Sequence, residues 1–356
     1  MAERGRPRWV LHVQALFWRS LMQIGMFLHK LASPRPPRPN FSREIKTTVA
    51  EKKGAIKLRF YVPKGYEEEK EKGDASKRYP VCINFHGGGF TLGETMDDAR
   101  WADAVVQETG AVVVGVEYRR APEHPFPTAV EDGVDAVLWL ASNAEQLNLD
   151  ADRFAISGFS SGGNMAFTVP LRLQEEMLSE ATPNSSAESL IQKGLSMGRT
   201  LVDVHKEIKI VAIVSWYPST DYTQSRQQRR LTCARPDQQL PAVFFELFDD
   251  SYLQPPTLDR SNPYLSPGVA PDYMLAGLPD EIVMFTCEWD MLLAEGERLR
   301  DRLIKEQHKN VVYHCIPGVS HAWDKAPNPL RVMPGVKEHY QMACNELNRV
   351  FWGKKK

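Results

Sequence analysis

Six stretches of this chain are apolar almost without a break: VCINF (81–85), AVVVGVEY (111–118), RFAISGF (153–159), KIVAIVSWYP (209–218), EIVMFTCEWD (281–290) and VVYHCIP (311–317). A strand with one wet face alternates apolar and polar residues, so strands without alternation have to be covered on both faces. Helical patterns lie between and after them, around Asp97–Glu108, Thr128–Asn143 and Val336–Phe351. This β-α alternation predicts an α/β fold, a mostly parallel central sheet flanked by helices on both sides. IKLRFYVP (56–63) does alternate and reads as one more strand, with EEEKEKGDASKR (67–78) as a charged loop after it.

One of the buried strands runs straight into Gly158-Phe159-Ser160-Ser161-Gly162, with a helical stretch beginning near Gly163. Strand, G-x-S-x-G, helix is the arrangement that holds a serine hydroxyl out of a sharp turn, at the edge of a sheet. The turn leaves no room for a Cβ at the glycines, and the N–H of Ser161 opens the helix where it can donate to an oxyanion. A second strand closes in His86-Gly87-Gly88-Gly89-Phe90. Successive glycines bring backbone N–H groups close to a ligand, and Gly88 and Gly89 are the candidates for the remaining oxyanion donors. His86 and Gly87 read as support for that loop. A phosphate loop would need G-x-x-x-x-G-K-[ST], which is missing here.

A serine hydroxyl is a weak nucleophile unless a base takes its proton and an acid orients the base. Asp290 ends EIVMFTCEWD and His321 lies in GVSHAW just after the next strand, which places both at the sheet edge that carries Ser160. Glu288 is the rival acid, but Asp290 is nearer the loop. His12, His29, His124, His205, His308, His314 and His339 lie on helices, in turns or beside strands, and none follows a final strand through a Gly-containing loop.

Residues 9–31, WVLHVQALFWRSLMQIGMFLHKL, place Val10, Val13, Phe17, Leu21, Ile24, Leu28 and Leu31 at steps of three and four, the spacing of an amphipathic helix. His12, Arg19, Gln23 and Lys30 interrupt it before the ~18 apolar residues a membrane span requires. Its apolar face is expected to pack on the protein's own domain as part of a cap; an interfacial membrane helix or a signal anchor is the alternative. With the Pro-rich connector 32–40 it makes up a segment 1–50, and residues 51–356 form the main domain. Within that domain, 180–206 reads as a polar surface insertion. Residues 223–260, which carry Phe244, Phe245, Phe248 and Tyr252, read as a second cap element.

The charge of −1 gives no field that would draw nucleic acid, and the Lys354-Lys355-Lys356 run reads as a solvated end. Five cysteines without C-x-x-C spacing argue against a metal site and favour a reducing, cytoplasmic compartment, with membrane association through 9–31 as the alternative.

Taken in order, HGGGF (86–90), YRRAPEHPFPTAVED (118–132), GFSSGGN (158–164), YPSTD (217–221), SNPYLSP (261–267), DMLLAEG (290–296) and GVSHAW (318–323) resemble the hormone-sensitive-lipase-like carboxylesterases. The resemblance covers roughly residues 80–325. It implies an α/β-hydrolase fold with a helical cap, and a serine esterase with Ser160 as nucleophile, Asp290 as acid and His321 as base. Gly88, Gly89 and Ser161 would form the oxyanion hole, and no cofactor or metal is implied. The family usually has Asp at Phe159 and Ala at Ser161, so the usual substrate profile is in doubt. The expected partner is a small or medium apolar ester, and a homodimer is compatible with the sequence. Two rivals use the same pocket: lyase or condensation chemistry on a specialised metabolite, and a binding protein without catalysis.

Overall fold

The computed structural model describes residues 6–72, 77–181 and 208–353. The insertion expected at 180–206 lies outside them but for its first two residues, and so does the terminal lysine run. Eight strands form one sheet: β1 (Phe41–Lys46), β2 (Ala55–Tyr61), β3 (Tyr79–Phe85), β4 (Val112–Glu117), β5 (Leu149–Phe159), β6 (Ile210–Trp216), β7 (Glu281–Cys287) and β8 (Asn310–Ile316). Their order is β1-β2-β4-β3-β5-β6-β7-β8, antiparallel across β1-β2-β4 and parallel thereafter.

The helices are α1 (Arg8–Leu31), α2 (Tyr66–Lys72), α3 (Ala99–Thr109), α4 (Thr128–Ser142) and α5 (Ser161–Ala181). They continue with α6 (Arg226–Leu231), α7 (Ala242–Tyr252), α8 (Asp272–Ala276), α9 (Leu293–Lys305) and α10 (Val336–Trp352). The unbroken apolar strands have the explanation their pattern required. Ile83, Val114, Ile156 and Ile213 enter one core with residues of α4 and α5, such as Val137 and Phe167. Their neighbours Cys82, Val113, Ala155 and Val214 enter the other, with Trp101 of α3 and Tyr340 and Leu347 of α10. Successive side chains of a strand point to opposite faces, and here both faces are dry.

Two elements depart from the sequence reading. FSREIK forms strand β1, at the edge of the sheet, where only Ile45 is buried and Arg43, Glu44 and Lys46 face water. EEEKEK, read as loop, belongs to α2, seated by buried Tyr66, whose hydroxyl donates to the Leu147 carbonyl at 2.5 Å.

Helix α1 forms where its periodicity predicts but docks the other way round. Its buried positions are Leu11, Ala15, Met26 and His29, whereas Val13, Phe17, Leu21, Ile24 and Leu28 of the apolar stripe are exposed. Arg19 donates to the carbonyls of Thr91 (2.9 Å) and Ala121 (2.8 Å) and forms a two-pronged pair with Glu123, while Lys30 reaches Glu94 at 3.3 Å. The surface beneath α1 offers carboxylates and loop carbonyls, so charge-assisted hydrogen bonds decide which face turns inward.

His29 anchors the far end of α1, its Nδ1 3.2 Å from the Ala326 carbonyl. Burial, with Lys325 and Arg100 nearby, lowers its pKa to about 4. A lowered imidazole stays neutral in the fold while the unfolded chain takes up the proton, so stability falls as pH drops from about 6.5 toward 4. The loss has an upper limit of about 3 kcal/mol. Thermal melts across that range are expected to show the decline, and His29→Gln to flatten it.

Candidate active site

Strand β5 delivers Phe159 into the core and reverses at Ser160, whose φ of +55° lies in the left-handed region. A non-glycine residue held there is strained, and its surroundings have to fix it. The Ser160 N–H donates to the Trp216 carbonyl at 2.9 Å and its carbonyl accepts from Asn164 N–H at 2.9 Å. Asn164 ties the start of α5 to the Ser219 (2.7 Å) and Leu265 (2.8 Å) carbonyls. Gly162 has no alternative: a Cβ there would lie 1.9 Å from the Phe85 carbonyl oxygen of β3.

The hydroxyl that this turn presents meets the other two sequence candidates. Ser160 Oγ is 2.8 Å from His321 Nε2, and His321 Nδ1 is 2.6 Å from Asp290 Oδ2. Asp290 is buried, and its other oxygen accepts the Leu292 N–H at 3.0 Å. Glu288, the rival acid, is exposed; it accepts the Gly318 N–H at 2.6 Å and so fastens the loop that carries His321. The three groups follow β5, β7 and β8 at one sheet edge, an arrangement that can pass a proton from hydroxyl to imidazole beside a fixed carboxylate.

Gly89 and Ser161 line the cleft with Ser160. Gly88 is one residue back, and its carbonyl accepts from the N–H groups of Thr91 and Leu92. His86 is fully buried and stacks on Tyr118 at 4.2 Å, with its Nδ1 2.8 Å from the Gly87 carbonyl. Burial lowers its pKa, which keeps the ring neutral.

The cleft is partly open to solvent. Leu240, Phe245, Phe248, Met291 and Leu292 supply its apolar wall, and Ser219, Tyr222 and Arg226 its polar one. Phe248 of α7 lies so close over Gly89 that a Cβ at Gly89 would fall 2.3 Å from the ring. Arg226 is held by Asp249 at 2.7 Å and lies over the Phe245 ring. Among the described residues no group of three His, Cys, Asp or Glu side chains is placed to hold a metal ion.

A buried polar cluster behind His321 went unread in the sequence. Tyr217 presents its ring to His321 (centroids 4.9 Å apart) and donates its hydroxyl to Asp324 at 2.5 Å. Tyr340 donates to the other Asp324 oxygen at 2.6 Å. Lys325 bridges Asp324 (2.9 Å) and Asp98 (3.0 Å), with its ammonium 3.8 Å from the centre of the Phe159 ring. A ring face therefore meets Lys325 at the position beside Ser160 where the resembled family usually has Asp. The one available signal was an adjacent Asp-Lys pair directly after the apolar Trp323. A second buried pair, Arg229 with Glu295 at 2.9 Å, holds the loop after β6 through a bond from the Thr220 N–H to Glu295.

A family model described as the alpha/beta hydrolase fold matches residues 82–325. Esterase LipI of Mycobacterium tuberculosis is 35% identical over 144 residues, which cover 40% of this chain and 42% of that protein. Lipase 2 of a Moraxella species is 29% identical over 266 residues, covering 74% of this chain and 58% of that protein. The chain thus spans about half the length of these curated relatives. Among solved structures, an esterase of Pyrobaculum calidifontis is 26% identical with a TM-score of 0.69, over 94% of this chain and 92% of that one. With its sheet order, its serine turn and the matched span taken together, the chain belongs to the alpha/beta hydrolase family.

Proposed function

We propose that the protein hydrolyses carboxylic esters of small to medium apolar substrates. One observation carries the reading: the unbroken contact from Ser160 Oγ through His321 to Asp290, at 2.8 and 2.6 Å. Ser160 Oγ attacks the ester carbonyl carbon as its proton passes to His321 Nε2, and Asp290 stabilises the imidazolium. The carbonyl oxygen takes the negative charge, facing the N–H groups of Gly89 and Ser161, with Gly88 adjacent. When the intermediate collapses, the carbon–oxygen bond to the alcohol breaks and His321 returns the proton to that oxygen. Water then attacks the acyl-enzyme by the same route, and the acid leaves.

The apolar wall of Leu240, Phe245, Phe248, Met291 and Leu292 suits an acyl or alkyl group of limited length. The names of the relatives, an esterase and a lipase, agree with ester cleavage. We place the protein in the cytoplasm, where its five free cysteines would stay reduced. A fluorophosphonate probe is expected to label Ser160 alone, and a p-nitrophenyl ester series to peak at short or medium acyl chains. A protein that stays unlabelled and leaves every ester intact would remove this function.

A further inference from the structure

The outward face of α1 has no partner among the described residues. Trp9, Phe17, Ile24 and Phe27 are 70%, 56%, 59% and 61% exposed, and Val13 and Leu21 continue the same face. The helix is roughly 36 Å long, so this is a ridge and not a scatter of single exposed residues. From Arg4 to Arg43 every charged side chain is Arg or Lys. The acids beneath the helix are already engaged, Glu94 by Lys30, Glu123 by Arg19 and Glu246 by Arg6. Arg8, Arg35 and Arg38 stay exposed at its two ends, the latter two with no acidic partner among the described residues.

We infer that α1 docks the protein on an anionic lipid bilayer, lying in the interface with its apolar ridge among the acyl chains and its end arginines at the headgroups. An apolar ridge on a segment whose own charged side chains are all cationic is the pattern that a negatively charged membrane surface selects. A second copy of this chain fits it poorly, because ridge against ridge brings like charges together. The helix cannot turn to span the membrane: Arg19 is fixed to the body by its bonds to Thr91, Ala121 and Glu123, and no described helix is long and apolar enough to cross. The ridge is also one layer from the cleft. Trp18 packs on Phe244 of α7 at 4.6 Å, and α7 lays Phe248 over Gly89. An apolar molecule leaving the bilayer would meet that helix first. The docking itself does not depend on ester hydrolysis.

The test is co-sedimentation of the full chain with phosphatidylserine–phosphatidylcholine vesicles and with pure phosphatidylcholine vesicles. Binding is expected on the anionic vesicles, with a blue shift of tryptophan fluorescence, and to weaken with added salt. The exposed triple variant Val13→Ser/Phe17→Ser/Ile24→Ser is expected to lose about a hundredfold in partitioning at an unchanged melting temperature. Arg35→Gln/Arg38→Gln, which leaves the ridge intact, is expected to lose about thirtyfold on anionic vesicles. Failure to sediment with either vesicle, or equal binding to both, overturns the assignment. So does a dimer in solution that the triple variant dissolves, which would make the ridge a protein interface.

Discussion

Ser160→Ala is expected to lower kcat/KM for a p-nitrophenyl ester by about a millionfold while the fold stays intact. The size follows from the geometry: among the described residues the hydroxyl that His321 Nε2 contacts is Ser160 Oγ, and the N–H groups of Gly89 and Ser161 have no oxyanion to stabilise unless Oγ attacks. Stability should tell the same story from the other side. Ser160 occupies φ +55°, a conformation that costs a non-glycine residue on the order of 1 kcal/mol or more. Alanine keeps that cost and glycine removes it, offset in part by the greater freedom of glycine in the unfolded chain. Ser160→Gly should therefore be as inactive as Ser160→Ala and melt at or above it. Hydrolysis by Ser160→Ala within tenfold of the parent would end the case for Ser160 as nucleophile.

What the sequence disclosed tracks what each segment has to satisfy. VCINF and AVVVGVEY were readable because strands covered on both faces admit almost nothing polar. Ser160, Asp290 and His321 were readable because each follows such a strand. FSREIK was not, since an edge strand that buries only Ile45 leaves no hydrophobic pattern. The periodicity of residues 9–31 revealed a helix with two unlike faces. Which face turns inward depended on Glu94, Glu123 and the Ala121 carbonyl, which belong to distant segments. The cluster around Lys325 was hidden for the same reason: Asp98, Phe159, Tyr217 and Tyr340 come from four separate elements, and only the fold brings them around the Asp324–Lys325 pair.

That cluster makes Lys325→Met the substitution with the largest expected cost to stability. Methionine fills similar space and packs well on the Phe159 ring, so little shape is lost. What is lost is the one cation between Asp98 and Asp324, both buried. Removing one partner from a buried ion pair costs about 3–5 kcal/mol, since the remaining charge is left without compensation. For a chain of this size the melting temperature should fall by about 4–7 °C near neutral pH. Asp98 keeps only the Asn84 amide at 2.7 Å, and burial already raises its pKa with Lys325 in place. Lys325 lowers the pKa of both carboxyls in the parent, so without the ammonium both titrate higher in the variant than in the parent, and the penalty is full at high pH. It fades as pH falls through the raised folded pKa, where the native state takes up the protons first. The gap between variant and parent should accordingly narrow on acidification. Lys325→Arg, which keeps the charge, should recover most of the loss. Turnover should fall in Lys325→Met as well, because Asp324 holds the Tyr217 ring against His321 through a 2.5 Å bond. A variant that melts within a degree or two of the parent at pH 7, or a gap that widens in acid, would show that this lysine does not balance the two carboxylates.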